Sequence, residues 1–96
     1  MITDFGDQLT RDLFYDLRDK VVKKLGSDIY RKARMKLLYL HEAEVLSDLR
    51  VPPGNRLEKL KGSLKDFYSI RINDQWRIVF QWSEGNASKV KVIDYH

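Results

Sequence analysis

Apolar residues recur along this chain with two different periods, and the change of period divides it. Leu9, Leu13, Phe14, Leu17 and Val21 repeat at helical spacing, which predicts a helix over residues 7–25 that Gly26 stops. Ser27-Asp28 then offers an N-cap for a second helix over residues 29–43. Ile29, Ala33, Leu37 and Leu40 make its apolar side. Arg31, Lys32, Arg34 and Lys36 fall on the other side, which reads as a charged face in solvent. Two amphipathic helices in tandem predict an antiparallel helical hairpin. Residues 45–49 add a short helical turn, and Pro52-Pro53-Gly54 breaks the chain.

Beyond the break the period becomes two. Residues 56–60 read as a short strand closed by Lys61-Gly62-Ser63. Residues 67–72, 76–82 and 89–95 read as three clearer strands, and Gly85-Asn86 turns the chain before the last. Residues 1–5 alternate weakly and read as one more short strand. Helices first and antiparallel strands afterwards predict an α+β fold. In it, an N-terminal helical hairpin packs on one face of a small antiparallel sheet, all within one domain over residues 1–96.

The middle strands also fix a register. Tyr68, Ile70 and Ile72 alternate as one apolar set, and Trp76, Ile78, Phe80 and Trp82 as another. A three-residue connection, Asn73-Asp74-Gln75, sets Ile72 opposite Trp76 and puts both sets on one face. A slip of one residue would set core against solvent. The favoured register places Arg71 directly opposite Arg77 on the face away from the core. Like charges in that position cost a few tenths of a kcal/mol, and an anion between them offsets the cost. Guanidinium groups suit phosphate because they bind it bidentately. Two long side chains splayed into solvent would satisfy the pattern equally well.

Composition adds a partner class. The 96 residues carry a formal net charge of +4. Residues 1–48 hold nine Lys/Arg and nine Asp/Glu; residues 49–96 hold nine and five, so the whole excess lies in the second half. A polyanion partner fits this, and so does an ordinary lysine-bearing surface. No cysteine is present, which excludes disulfides, thiolate catalysis and zinc–thiolate sites. Carboxylates are scattered and neither histidine sits in a ligand-spaced pair, so no metal or other cofactor is predicted. The first residues lack a signal pattern and no apolar run approaches membrane length. The expectation is a cytoplasmic protein without a membrane partner.

The candidate chemistry lies at the end of the last strand, in Asp94, Tyr95 and His96. His41, near the end of the second helix, reads as a structural partner of the helix dipole. His and Tyr both move protons, and Arg stabilises the charge gained by a phosphorane-like transition state. RNA can be cut without a metal when its own 2′-OH attacks the adjacent phosphate. That reaction requires a base, an acid and a cation.

The run "PPGNRLEKLKGSLKDFYSIRINDQWRIVFQW", followed by a terminal "VIDYH", resembles the HigB toxins of bacterial toxin–antitoxin systems, within the wider RelE superfamily. The resemblance covers roughly residues 29–96 well, and the first helix only by position. It implies two helices on an antiparallel sheet and metal-independent cleavage of mRNA in the ribosomal A site. It also implies a cognate helix-turn-helix antitoxin of the HigA kind, and contact with operator DNA only through the toxin–antitoxin complex. By position it assigns Arg77 to the scissile phosphate and Asp94, Tyr95 and His96 to the catalytic terminus. Lys61 matches a basic active-site residue, and Arg71 and Arg56 become contacts to the RNA backbone. Glu58 stands where some members carry a histidine, which opens the assignment of base and acid. Two other readings stay open: a gyrase-poisoning toxin of the ParE kind that acts by protein binding, and an RNA-binding module without catalysis.

Overall fold

The computed structural model describes residues 1–17, 23 and 25–94. Helix α1 (Gln8–Phe14) begins at Asp7, whose side chain accepts the Thr10 N–H at 2.9 Å. Within the helix expected over residues 7–25, α1 ends at Phe14, while residues 23 and 25 are again helical. Arg34, reaching over from the second helix, donates Nε to the Leu13 carbonyl (3.0 Å) and Nη2 to the Phe14 carbonyl (3.2 Å), so it takes up carbonyls at the end of α1. Asp16 follows in the left-handed region (φ 61°), which Asp tolerates, and accepts a hydrogen bond from the Tyr30 hydroxyl. Leu17, expected on the apolar face, is 54% exposed. Val21 lies outside the described residues.

Helix α2 (Ser27–Glu42) starts two residues before the expected position, with Gly26 rather than Ser27 as its cap. Ala33, Leu37 and Leu40 are fully buried, as their spacing predicts. Lys36 is not on a solvent face: it is buried too, one position from Leu37 at the rim of the apolar stripe. A short 3-10 turn (Leu46–Arg50) follows, one residue beyond the expected position. Asp48 caps it by accepting the Glu44 and Val45 N–H groups.

The sheet runs β1 (Glu58–Lys59), β2 (Tyr68–Arg71), β3 (Trp76–Ser83) and β4 (Asn86–Asp94), every pair antiparallel and in chain order. Ile70 pairs with Ile78 and Arg71 with Arg77, the register that the alternation requires. Asn73 closes the three-residue connection by accepting the N–H groups of Gln75 (2.9 Å) and Trp76 (2.8 Å). The next turn is centred on Glu84-Gly85 rather than Gly85-Asn86. Both residues have positive φ (51° and 80°), as a two-residue hairpin turn between right-twisted strands needs. Val79 pairs with Lys91 but Gln81 with Ser88, so β4 carries one extra residue. Lys89 (φ 52°) marks this bulge.

The first residues lie parallel to β4, with bridges Ile2–Ala87 and Phe5–Val90. Further along, the Thr10 hydroxyl accepts the Val92 N–H at 2.8 Å. The outer edge of β4 is thus covered by the N-terminal segment and α1. The helices pack on one sheet face over Ile70, Ile78, Phe80, Val90 and Val92. Phe80 stacks on its cross-strand partner Tyr68 at 6.1 Å between ring centroids. The opposite face is partly covered as well. Leu60 and Val79 are buried outside the main core, and Leu64 and Phe67 line a cavity with Val79.

Candidate nucleic-acid interface

Strand pairing builds two adjacent rows on the sheet face away from the helices. One holds Arg71, Arg77 and Ile93; the next holds Glu58, Ser69, Val79 and Lys91. Arg77 does not splay into solvent: it is only 9% exposed. Its Nε donates to Ser69 Oγ at 2.9 Å, its Nη2 donates to the Arg56 carbonyl at 2.9 Å, and Glu58 Oε1 lies 3.6 Å from Nη2. The guanidinium is therefore held in a fixed orientation from both sides, with its charge in a partly desolvated setting.

The Arg56 carbonyl is placed by a chain of contacts that starts in α2. Lys36 Nζ donates to Asn55 Oδ1, and Asn55 Nδ2 donates to the carbonyls of Leu49 (3.1 Å) and Val51 (3.4 Å). Asn55, fully buried, thereby fixes the one-turn helix Pro53–Asn55. Arg56 leaves this turn with φ 45°, and its carbonyl meets Arg77. Burial, and secondarily the nearby Arg71 cation, hold the Lys36 ammonium below the usual lysine pKa.

Arg71 pairs with Asp74, whose side chain is 98% exposed. Both members of the Arg71–Arg77 pair thus face a carboxylate of the protein itself, and the like-charge pair does not on its own demand an external anion. Asp94 is placed opposite Trp76, which faces the helices, and Gln75 Nε2 donates to its Oδ2 at 3.1 Å. The register thus assigns Asp94 and Arg77 to opposite faces of the same end of the sheet. Lys61 is exposed beside β1. With Lys59 and Lys65 it borders an open cavity of about 460 Å³. Tyr95 and His96 lie outside the described residues. His41 Nδ1 accepts the Ile2 N–H at 3.1 Å and its ring packs on Phe14, so it is structural as an acceptor and ties the N-terminal segment to α2.

A family model described as the RelE-like toxin of type II toxin–antitoxin system HigB matches residues 3–96. The chain belongs to the HigB-like toxin family. It is 42% identical to Toxin HigB-1 of Vibrio cholerae serotype O1 over 87 residues, covering 91% of this chain and 90% of that protein. It is 39% identical over 41 residues to Endoribonuclease HigB of Proteus vulgaris, a match over 43% of this chain and 45% of the relative. The crystal structure of YafQ from Escherichia coli BL21(DE3) superimposes with a TM-score of 0.68 over 98% of this chain and 91% of that one. At 16% identity the likeness concerns the fold alone.

In this HigB-like toxin, the residues expected to act together are divided. Arg56, Arg71 and Arg77 converge, although Arg56 meets Arg77 through its carbonyl. Sequence reasoning missed Ser69 and the Lys36–Asn55 contact. Ser69 carried a signal, since it alternates with Arg71 on the arginine face. Lys36 and Asn55 are 19 residues apart with no shared period, so nothing in the sequence links them. Among the described residues, no helix is long and apolar enough to cross a membrane. Membership in a type II toxin–antitoxin family brings an antitoxin as partner.

Proposed function

We propose that this toxin is a ribosome-dependent endoribonuclease that cuts mRNA in the ribosomal A site without a metal ion. The observation that carries this reading is the fixed, partly buried Arg77 guanidinium beside Arg71 on a basic sheet face. The name of the Proteus vulgaris relative, an endoribonuclease, supports it. In the reaction, the 2′-oxygen attacks the adjacent phosphorus, the bond from phosphorus to the 5′-oxygen breaks, and a 2′,3′-cyclic phosphate and a 5′-hydroxyl result. Arg77 stabilises the negative charge that builds on the non-bridging oxygens. A donor already oriented by the fold needs no reorganisation as that charge develops.

Tyr95 and His96 exchange the two protons, one leaving the 2′-OH and one reaching the 5′-oxygen. Asp94 orients His96 or contacts RNA. Arg71, Lys61 and Arg56 hold the RNA backbone. The phosphate displaces Asp74 from Arg71, which an exposed ion pair allows at a cost of about 1 kcal/mol or less. Glu58, beside Arg77, is within reach of the same phosphate and shares or modulates the proton chemistry. The partners in the cell are the ribosome, mRNA and a HigA-like helix-turn-helix antitoxin. Operator DNA is reached through the antitoxin complex, and the protein works in the cytoplasm.

Mapping mRNA 5′ ends after induction tests the assignment. The wild-type protein is expected to create new ends inside translated frames, and Arg77→Ala to abolish them together with growth arrest. Unchanged ends and arrest in Arg77→Ala would sink the role given to Arg77. Growth arrest with no new ends in the wild type would favour a toxin that only binds.

A further inference from the structure

On the same sheet face as Arg77, a cavity of about 450 Å³ opens between the sheet and the segment that covers it. Val79 and Ile93 form its floor, Leu64 and Phe67 its covering wall, and Lys89 and Lys91 stand at its side. Ile93 is the cross-strand partner of Arg77, so the cavity and the guanidinium share a boundary. Two backbone features keep that side as it is. The β4 bulge places one extra residue between Ser88 and Lys91, and Lys89, at φ 52°, lines the cavity beside Lys91. Gly6 approaches so closely that a Cβ there would lie 3.2 Å from the Lys89 carbonyl oxygen and 3.3 Å from Lys91 Cβ.

We propose that this cavity receives one base of a single-stranded RNA whose backbone passes Arg77. The proposal rests on the nuclease reading and adds a nucleotide subsite to it. The walls are apolar with one aromatic ring, which suits the face of a base. Two lysines beside the cavity and Arg77 next to Ile93 suit the phosphates on either side of that base. An apolar side chain of a protein partner would fit the walls equally well, but the exposed Lys89 and Lys91 in the lining complement a polyanion. Phe67 supplies the stacking surface and Lys91 a phosphate contact.

The test measures binding of a short single-stranded RNA oligonucleotide at low salt by fluorescence anisotropy, with the intact toxin and the variants Phe67→Leu and Lys91→Gln. Phe67→Leu keeps an apolar wall and Lys91→Gln changes an exposed side chain, so both are expected to fold. Phe67→Leu should weaken binding roughly tenfold, with the salt dependence unchanged. Lys91→Gln should lower the slope of log affinity against log salt by about 0.7. The loss in Phe67→Leu should disappear against an oligonucleotide with an abasic site at the bound position. No RNA binding by the wild type, or binding by both variants that matches the wild type in affinity and salt slope, overturns the subsite. So does loss of antitoxin binding with RNA binding intact, which would assign the cavity to a protein. The cleavage assay separates the two ideas: unchanged binding with normal cleavage removes the subsite alone, and the expected binding losses without cleavage remove the nuclease reading alone.

Discussion

Ser69→Ala probes how Arg77 is held. Ser69 is fully buried and its hydroxyl receives Arg77 Nε at 2.9 Å. The substitution removes one oxygen, creates almost no cavity, and leaves a nearly buried N–H of a cation without that acceptor. A hydrogen bond to a charged group contributes about 1.5–3 kcal/mol. The remaining ties, to the Arg56 carbonyl and Glu58, keep the loss toward the lower end. The expected destabilisation is about 1.5–2 kcal/mol. Each kcal/mol lowers Tm by roughly 4–8 °C in a domain of this size. Urea unfolding of wild type, Ser69→Ala, Arg77→Met and the double variant makes a double-mutant cycle. With Met at position 77, the Ser69→Ala change should cost about 0.5 kcal/mol or less. An equal cost in both backgrounds would show that Ser69 does not anchor Arg77.

Three further outcomes follow from the same contacts. Lys36 gives up its proton more readily in the folded protein than in the unfolded chain, so in the window between its lowered pKa and about 10.5 the unfolded chain binds more protons and stability rises with pH. Stability relative to Lys36→Met, by urea unfolding across pH 7–10 (about the accessible range), should therefore rise with pH; parallel curves would refute it. Asp7→Ala removes the α1 cap and should cost about 1 kcal/mol by thermal unfolding, with Asp7→Asn close to wild type. Gly85→Ala should cost about 1 kcal/mol or more, because φ is 80° and the new Cβ would lie 3.3 Å from the Glu44 carbonyl oxygen; unchanged stability would contradict the turn geometry.

The parts of this fold that the sequence revealed are those set by local period. Alternation in Tyr68–Ile72 and Trp76–Trp82 was enough to fix the β2–β3 register and bring Arg71 opposite Arg77. Helical spacing found the buried side of α2. What escaped depends on contacts between distant residues. The end of α1 is set by Arg34, 21 residues from the carbonyl it caps. Lys36 looks like a solvent-facing charge until Asn55 is brought to it by the 3-10 turn. The arginine face looks open in an alternating pattern because alternation records one buried side. The cover over the other side comes from a segment with no strong period, around Leu60, Leu64 and Phe67. The strand expected over residues 1–5 is reduced to two isolated bridges, and its parallel pairing with β4 was not legible from alternation.

The central claim is that Arg77 and the terminal Tyr95 and His96 cut mRNA on the ribosome. Primer extension on ribosomes programmed with a defined mRNA tests it directly, comparing wild type with Arg77→Ala, Tyr95→Phe and His96→Ala. The account predicts a single A-site cut for the wild type and a loss of about a hundredfold or more in Arg77→Ala. It also predicts slowed cleavage with altered pH dependence in at least one of the two terminal variants. Full-length extension product with the wild-type protein, or equal cleavage by all four proteins, would contradict it.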